Sequence, residues 1–130
     1  MAGLRKRRPG LVYPVYDDWH YVGESGEPAF EHSFTNLSGT TMMAFRLRES
    51  GVVDIQGVIQ GGSTGNSIFE LPESHRPSKA ARYTASTTGP LGTAAITINT
   101  GGGVVVVFSG TPTALLVSGQ FFLDPPNLAA

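Results

Sequence analysis

A chain of 130 residues, 40% hydrophobic and 15% charged, fits one globular domain that buries roughly two-thirds of its unfolded surface. No apolar run reaches the ~20 residues of a membrane helix, the Met-Ala-Gly start carries no apolar secretion core, and the absence of Cys excludes disulfides and thiolate metal ligands. The net charge of −1 hides an asymmetry: Arg5, Lys6, Arg7 and Arg8 are four of the nine basic residues, leaving five basic against ten acidic ones in a body of about −5.

Residues 1–16 are expected to form an extended basic arm, with Pro9-Gly10 ending its charged part and Pro14 confining LVYPVY to an edge strand or a linker. Asp17-Asp18 reads as a turn before the aromatic positions Trp19 and Tyr21. GESGEP is a loop, and 30–37 is a short strand. In TMMAFRLRE, Met43, Phe45 and Leu47 alternate with Ala44, Arg46 and Arg48. Glu49-Ser50-Gly51 then turns into VVDIQGVIQ, where Val53, Ile55, Gly57 and Ile59 share a face. Two alternating runs joined by a Gly turn predict an antiparallel hairpin.

GGSTGN is a loop, and SIFEL is a strand stopped by Pro72. LPESHRPS, bounded by Pro72 and Pro77, is a structured excursion. AARYTAST is a strand, TGPLG a turn, and TAAITIN a strand burying Ala94, Ile96 and Ile98. The run from Asn99 to Gly103 makes a hairpin turn. VVVVFSG is apolar on both faces, which predicts a central strand or one covered by another subunit. ALLVSGQFFL closes the sheet. Seventeen Gly, nine Pro and about eight short strands without a helix predict an all-β antiparallel fold, a β-sandwich or a jelly roll. Its head spans 17–130.

The sequence offers little chemistry. His20, His32 and His75 have no local metal-ligand spacing, so they read first as surface or turn groups; the alternative is a metal held by His32 beside Glu31, or by His20 near Asp18, if the fold brings them together. No GxSxG elbow is present. The carboxylates Glu24, Glu27, Glu31, Glu49, Glu70 and Glu73 fall mostly in loops or at strand ends, where solvated acids are ordinary. GGSTGN and NTGGG lack the Lys-Ser/Thr ending of a phosphate loop. No catalytic, cofactor or metal residues are therefore assigned. The arm reads first as a solvated terminus, next as a dock for an acidic protein surface, and least as a nucleic-acid contact. Trp19 reads first as a core or subunit-interface residue. The alternative makes Trp19 and Tyr21 saccharide contacts.

Five segments, in order, resemble the head domains of phage tail fibres and receptor-binding proteins. They are WHYVGESGEPAFEHSFTNL, FRLRESGVVDIQGVIQGG, SIFELPESHRPS, AAITINTGGGVVV and ALLVSGQFFL, spanning about 19–123. The third is carried by Phe69, Leu71, Pro72, Arg76, Pro77 and Ser78. The resemblance implies a homotrimeric, non-enzymatic head on a virion assembled in the host cytoplasm, exposed for attachment to host-surface saccharide and without membrane insertion. It assigns no fixed ligand residues to the motif letters, so Phe69, Leu71 and Pro77 read as scaffold. The arm would dock on other phage structural proteins. No heptads or fibre repeats accompany the head. Capsid decoration therefore stands as the alternative role, with a polysaccharide-cleaving enzyme as a remote third.

Overall fold

A computed structural model describes residues 17–88, 93–110 and 114–123. The basic arm with Arg5, Lys6, Arg7 and Arg8, the LVYPVY segment and most of the TGPLG turn lie outside the described residues. The described residues form nine strands: β1 (His20–Tyr21), β2 (Phe34–Asn36), β3 (Ala44–Leu47), β4 (Val52–Gly61), β5 (Asn66–Glu70), β6 (Ala81–Thr88), β7 (Ala94–Ile98), β8 (Gly103–Phe108) and β9 (Ala114–Phe122). One 3₁₀ turn, Glu73–His75, is the only helical element among them. Every strand pair is antiparallel.

The strands form one ladder in the order β1-β3-β4-β9-β6-β7-β8-β5, with β2 on the far half of β4. The ladder curls into a half-barrel. Strand β6 makes the bend: Ala81–Ala85 pair with β7, whereas Ser86–Thr88 pair with β9. Strand β9 does not close an edge, as the sequence suggested. It runs through the middle of the ladder between β4 and β6, pairing Val52–Ile59 with Leu115–Phe122.

Local pattern explains the rest. The expected β3–β4 hairpin forms, with Phe45 opposite Ile55, Leu47 opposite Val53, and Gly51 supplying a positive φ of 84° in its turn. Ala44 is buried as well as Phe45, because β1 adds outside β3 and sets Tyr21 opposite Ala44. Regular pairing of β3 starts only at Ala44: the backbone of Met43 is already engaged, its N–H by Asn36 Oδ1 and its carbonyl by Val22 N–H. Gly57 of β4 lies against this segment so closely that a Cβ there would sit 2.4 Å from Met43 Cα.

Strand β8 lies between β7 and β5, consistent with its doubly apolar sequence. Val104 and Val106 enter the core, and Val107 on the opposite face is 50% exposed. The core fills the concave side of the curl, with Phe34, Phe45, Ile55 and Ile59 from one half meeting Ile68, Phe69, Ile96, Ile98, Val104 and Val106 from the other. Phe69, Leu71 and Pro77 are buried, as expected of scaffold. The excursion between the two prolines is fastened by Arg76, whose Nε donates to the Leu71 carbonyl at 2.9 Å, while Leu71 N–H bonds to Gly102.

Candidate functional site

Two clusters of polar side chains flank the start of the head. The first is an open groove of about 360 Å³ on the convex face of β3, β4 and β9, lined by Trp19, Arg46, Arg48, Asp54, Gln56, Ser118 and Gln120 among others. Strand alternation builds it, because Val53 and Ile55 point inward and thereby turn Asp54 and Gln56 outward. Register then places Arg46, Asp54 and Gln120 in one row across three strands, with Gln56 and Ser118 in the next.

Asp54 organises the groove. Arg46 Nε donates to its Oδ2 at 3.1 Å, and Arg48 Nε lies at the same distance. The buried Arg48 N–H is not aligned to donate there, so that contact is an ion pair without a hydrogen bond. Arg48 instead donates through its terminal nitrogen to Gln120 Oε1. The Arg46 guanidinium lies 4.5 Å from the centre of the Trp19 ring, in cation–π contact. Four cross-linked polar side chains, Arg46, Asp54, Arg48 and Gln120, thus hold fixed positions beside an aromatic ring.

Trp19 is half-buried and is not a member of the hydrophobic core, so the core reading of this residue is corrected. The reason is parity: its neighbour His20 takes the inward position and stacks on Phe45, which leaves Trp19 on the convex side. Tyr21 is exposed and does not line the groove. The other aromatics close in sequence go elsewhere, Phe34 into the core and Phe30 against it.

The second cluster is a knot beneath the groove. Asp17 Oδ1 accepts the Leu47 N–H at 2.8 Å, while its Oδ2 meets His20 Nε2 at 2.6 Å and His75 Nε2 at 2.8 Å. The other nitrogen of His20 faces both oxygens of Glu27 at 3.0 Å, and that of His75 contacts Ser74 Oγ at 2.8 Å. The rings stand on an aromatic floor. His20 stacks on Phe45 at 5.0 Å, and His75 meets both rings edge-on at 5.2 Å.

Burial alone would lower the His20 pKa, yet the hydrogen bonds and negative charge of Asp17 and Glu27 raise it above the ordinary 6.5. For Asp17, burial acts to raise the value. The Leu47 N–H and the two imidazoles outweigh that effect and hold the carboxyl below its usual 3.8.

His75 lies in the 3₁₀ turn but is only 5% exposed, which corrects its reading as a surface histidine and keeps its reading as a turn residue. Nothing local in the sequence marks the knot, since Asp17 and His75 are 58 positions apart. The one usable signal was that His75 falls inside the Pro-bounded excursion. The acid beside His20 is Asp17, not Asp18. Glu31 and His32 both turn to Ser67 instead: Glu31 accepts from its Oγ, and His32 Nδ1 donates to its carbonyl at 2.9 Å. Among the remaining candidate acids, Glu70 lies 3.7 Å from the Arg76 guanidinium.

The fold therefore defines an all-β, antiparallel domain with a polar groove on its convex face. Comparison with protein-family models, curated proteins and solved structures returns no match.

Proposed function

We propose that this chain is a non-enzymatic surface protein of a phage virion, a trimeric head of jelly-roll type that attaches to host-surface saccharide. The observation that carries the reading is the groove: a lone Trp, with Arg46 over one face of its ring, stands beside the donors and acceptors of Arg48, Asp54, Gln56 and Gln120. Sugars present an apolar C–H face and a rim of hydroxyls, and that combination complements both features. The ordered resemblance of 19–123 to phage head domains supports the virion setting. An uncharged depression on β7–β8, where Val107 lies beside Ala95 and Thr93, supports packing against a second subunit. Arg5, Lys6, Arg7 and Arg8 would fasten the head to an acidic surface of the particle.

An array of bacterial surface polysaccharides tests the groove. Wild-type protein is expected to bind a subset, and Trp19→Ala and Asp54→Asn are expected to lose it; binding that survives both substitutions sinks the assignment. Release of reducing ends from a bound glycan would overturn the non-enzymatic reading. Electron microscopy of labelled particles distinguishes the roles, since label on the capsid shell rather than the tail assigns decoration in place of attachment.

A further inference from the structure

Three side chains, two from the entry of the head and one 58 positions further along the chain, aim one heteroatom each at a common point. His20 Nε2 and His75 Nε2 both converge on Asp17 Oδ2, and the three atoms lie within 4.8 Å of one another. On each side chain the second heteroatom is already held from outside. Leu47 N–H holds Asp17 Oδ1, the Glu27 carboxylate holds His20 Nδ1, and Ser74 Oγ holds His75 Nδ1. A metal-binding imidazole needs that outer partner, because it fixes ring orientation and the tautomer that leaves the facing nitrogen unprotonated. The Ser74 hydroxyl can accept as well as donate, so His75 can carry its proton on Nδ1 and turn a free lone pair inward.

We propose that Asp17, His20 and His75 form a binding site for a divalent transition-metal ion, zinc by the chemistry of the donors. Two imidazoles and one carboxylate make a mixed nitrogen and oxygen set that suits zinc, whereas calcium and magnesium prefer oxygen alone. Three protein ligands leave a coordination position for water, and the part-exposed side chains of Asp17 and His20 admit it. The present separations of 2.6 and 2.8 Å are hydrogen-bond lengths. Zinc bonds of about 2.0–2.2 Å at tetrahedral angles spread their ligands to about 3.3 Å, so seating the ion asks the two Asp17–His pairs to open by roughly 0.5–0.7 Å. The Phe45 floor keeps both rings oriented through that movement.

The site joins the entry of the head, residues 17–20, to the 3₁₀ turn at 73–75. A bound ion would therefore act as a clasp at the point where residues 1–16 meet the domain.

The test uses the full chain after EDTA treatment and dialysis. Calorimetric titration with zinc chloride is expected to give one ion per chain, with a raised thermal midpoint, and magnesium chloride is expected to give neither. Cobalt chloride is expected to produce visible absorption bands that zinc abolishes. Asp17→Asn and His75→Asn should each weaken zinc binding by more than Glu27→Gln, which loses an outer partner and is expected to cost about tenfold. His32→Asn should leave it unchanged. Absence of stoichiometric zinc binding overturns the site, as does affinity that survives His75→Asn or falls with His32→Asn. Should His75→Asn fail to fold, Glu27→Gln and His20→Asn decide, and unchanged affinity in both also overturns it.

Discussion

Phe45 and Phe69 lie near opposite ends of one ladder of strands, yet their rings stack 5.6 Å apart and 17° from parallel. The curl of the sheet brings β3 over β5, and this pair joins the two halves of the core. Both rings are fully buried. Phe45 also carries His20 on its other side and His75 at its edge, so it couples the core to the knot of polar groups beneath the groove.

Phe45→Ala should therefore destabilise the domain by about 3–5 kcal/mol, the range for deleting a large aromatic from a core that cannot collapse. Urea unfolding measures the loss. Phe45→Leu should cost clearly less; stability of the Leu variant equal to wild type would mean that the aromatic stack adds nothing beyond buried volume, and a Leu deficit as large as that of Ala would mean that volume is not the cause.

Asp17 answers three donors, so its replacement separates hydrogen bonding from charge. Asp17→Ala strands the Leu47 N–H and the buried His75 nitrogen, at a cost of about 1–3 kcal/mol. Asp17→Asn should lose less. Its carbonyl can still accept from Leu47, and its amide can donate to both imidazoles once they carry their protons on Nδ1. Urea unfolding in EDTA compares the two variants; equal losses would mean that charge, not pairing, holds the knot.

Gly57→Ala should destabilise by about 1–3 kcal/mol or more, because the added methyl meets the Met43 backbone instead of a movable side chain. Denaturant midpoints read the effect. Stability within error of wild type would show that the 43–44 segment can move away from β4.

Hairpins were legible in the sequence where their signals were local. The β3–β4 pair announced itself through Phe45, Leu47, Val53 and Ile55 alternating around Gly51, and the β7–β8 pair through Ala94, Ile96 and Ile98 before Asn99–Gly103. The position of β9 was not legible. Which strands flank Ala114–Phe122 depends on the bend in β6 and on β4 being long enough to pair with β3 and β2 along one edge, and neither leaves a periodic trace. The knot stayed hidden for the same reason. The convex groove was half visible, since alternation put Asp54 and Gln56 outward, but Trp19 joins them only because His20 faces in.

Tyr83 supplies a prediction in alkali. Its ring covers Gly119, its hydroxyl is buried without a hydrogen-bond partner among the described residues, and burial pushes its pKa well above the ordinary 10.0. A phenol that ionises later in the folded chain than in the unfolded one supports folding fully below pH 10. That support is lost as pH rises beyond it. Tyr83→Phe should be neutral or slightly stabilising at pH 7, since it removes an unpaired polar group. It should also flatten the fall in stability above pH 10, measured as denaturant midpoint against pH. A parallel fall in both proteins would place the alkaline transition elsewhere.

Trp19 is the only tryptophan in the chain, so its fluorescence reports on the groove alone. Arg46 lies over the ring and is held there by Asp54. Arg46→Ala should remove the cation–π contact and uncover that face of the indole, shifting emission to the red while costing no more than about 1 kcal/mol at this half-exposed position. Asp54→Asn should produce part of the same shift without touching the indole, because it frees the guanidinium instead of deleting it. If Arg46→Ala leaves the emission unchanged, the guanidinium does not cover Trp19 in solution. The groove then keeps an open aromatic face, and saccharide binding should tolerate Arg46→Ala while still requiring Trp19.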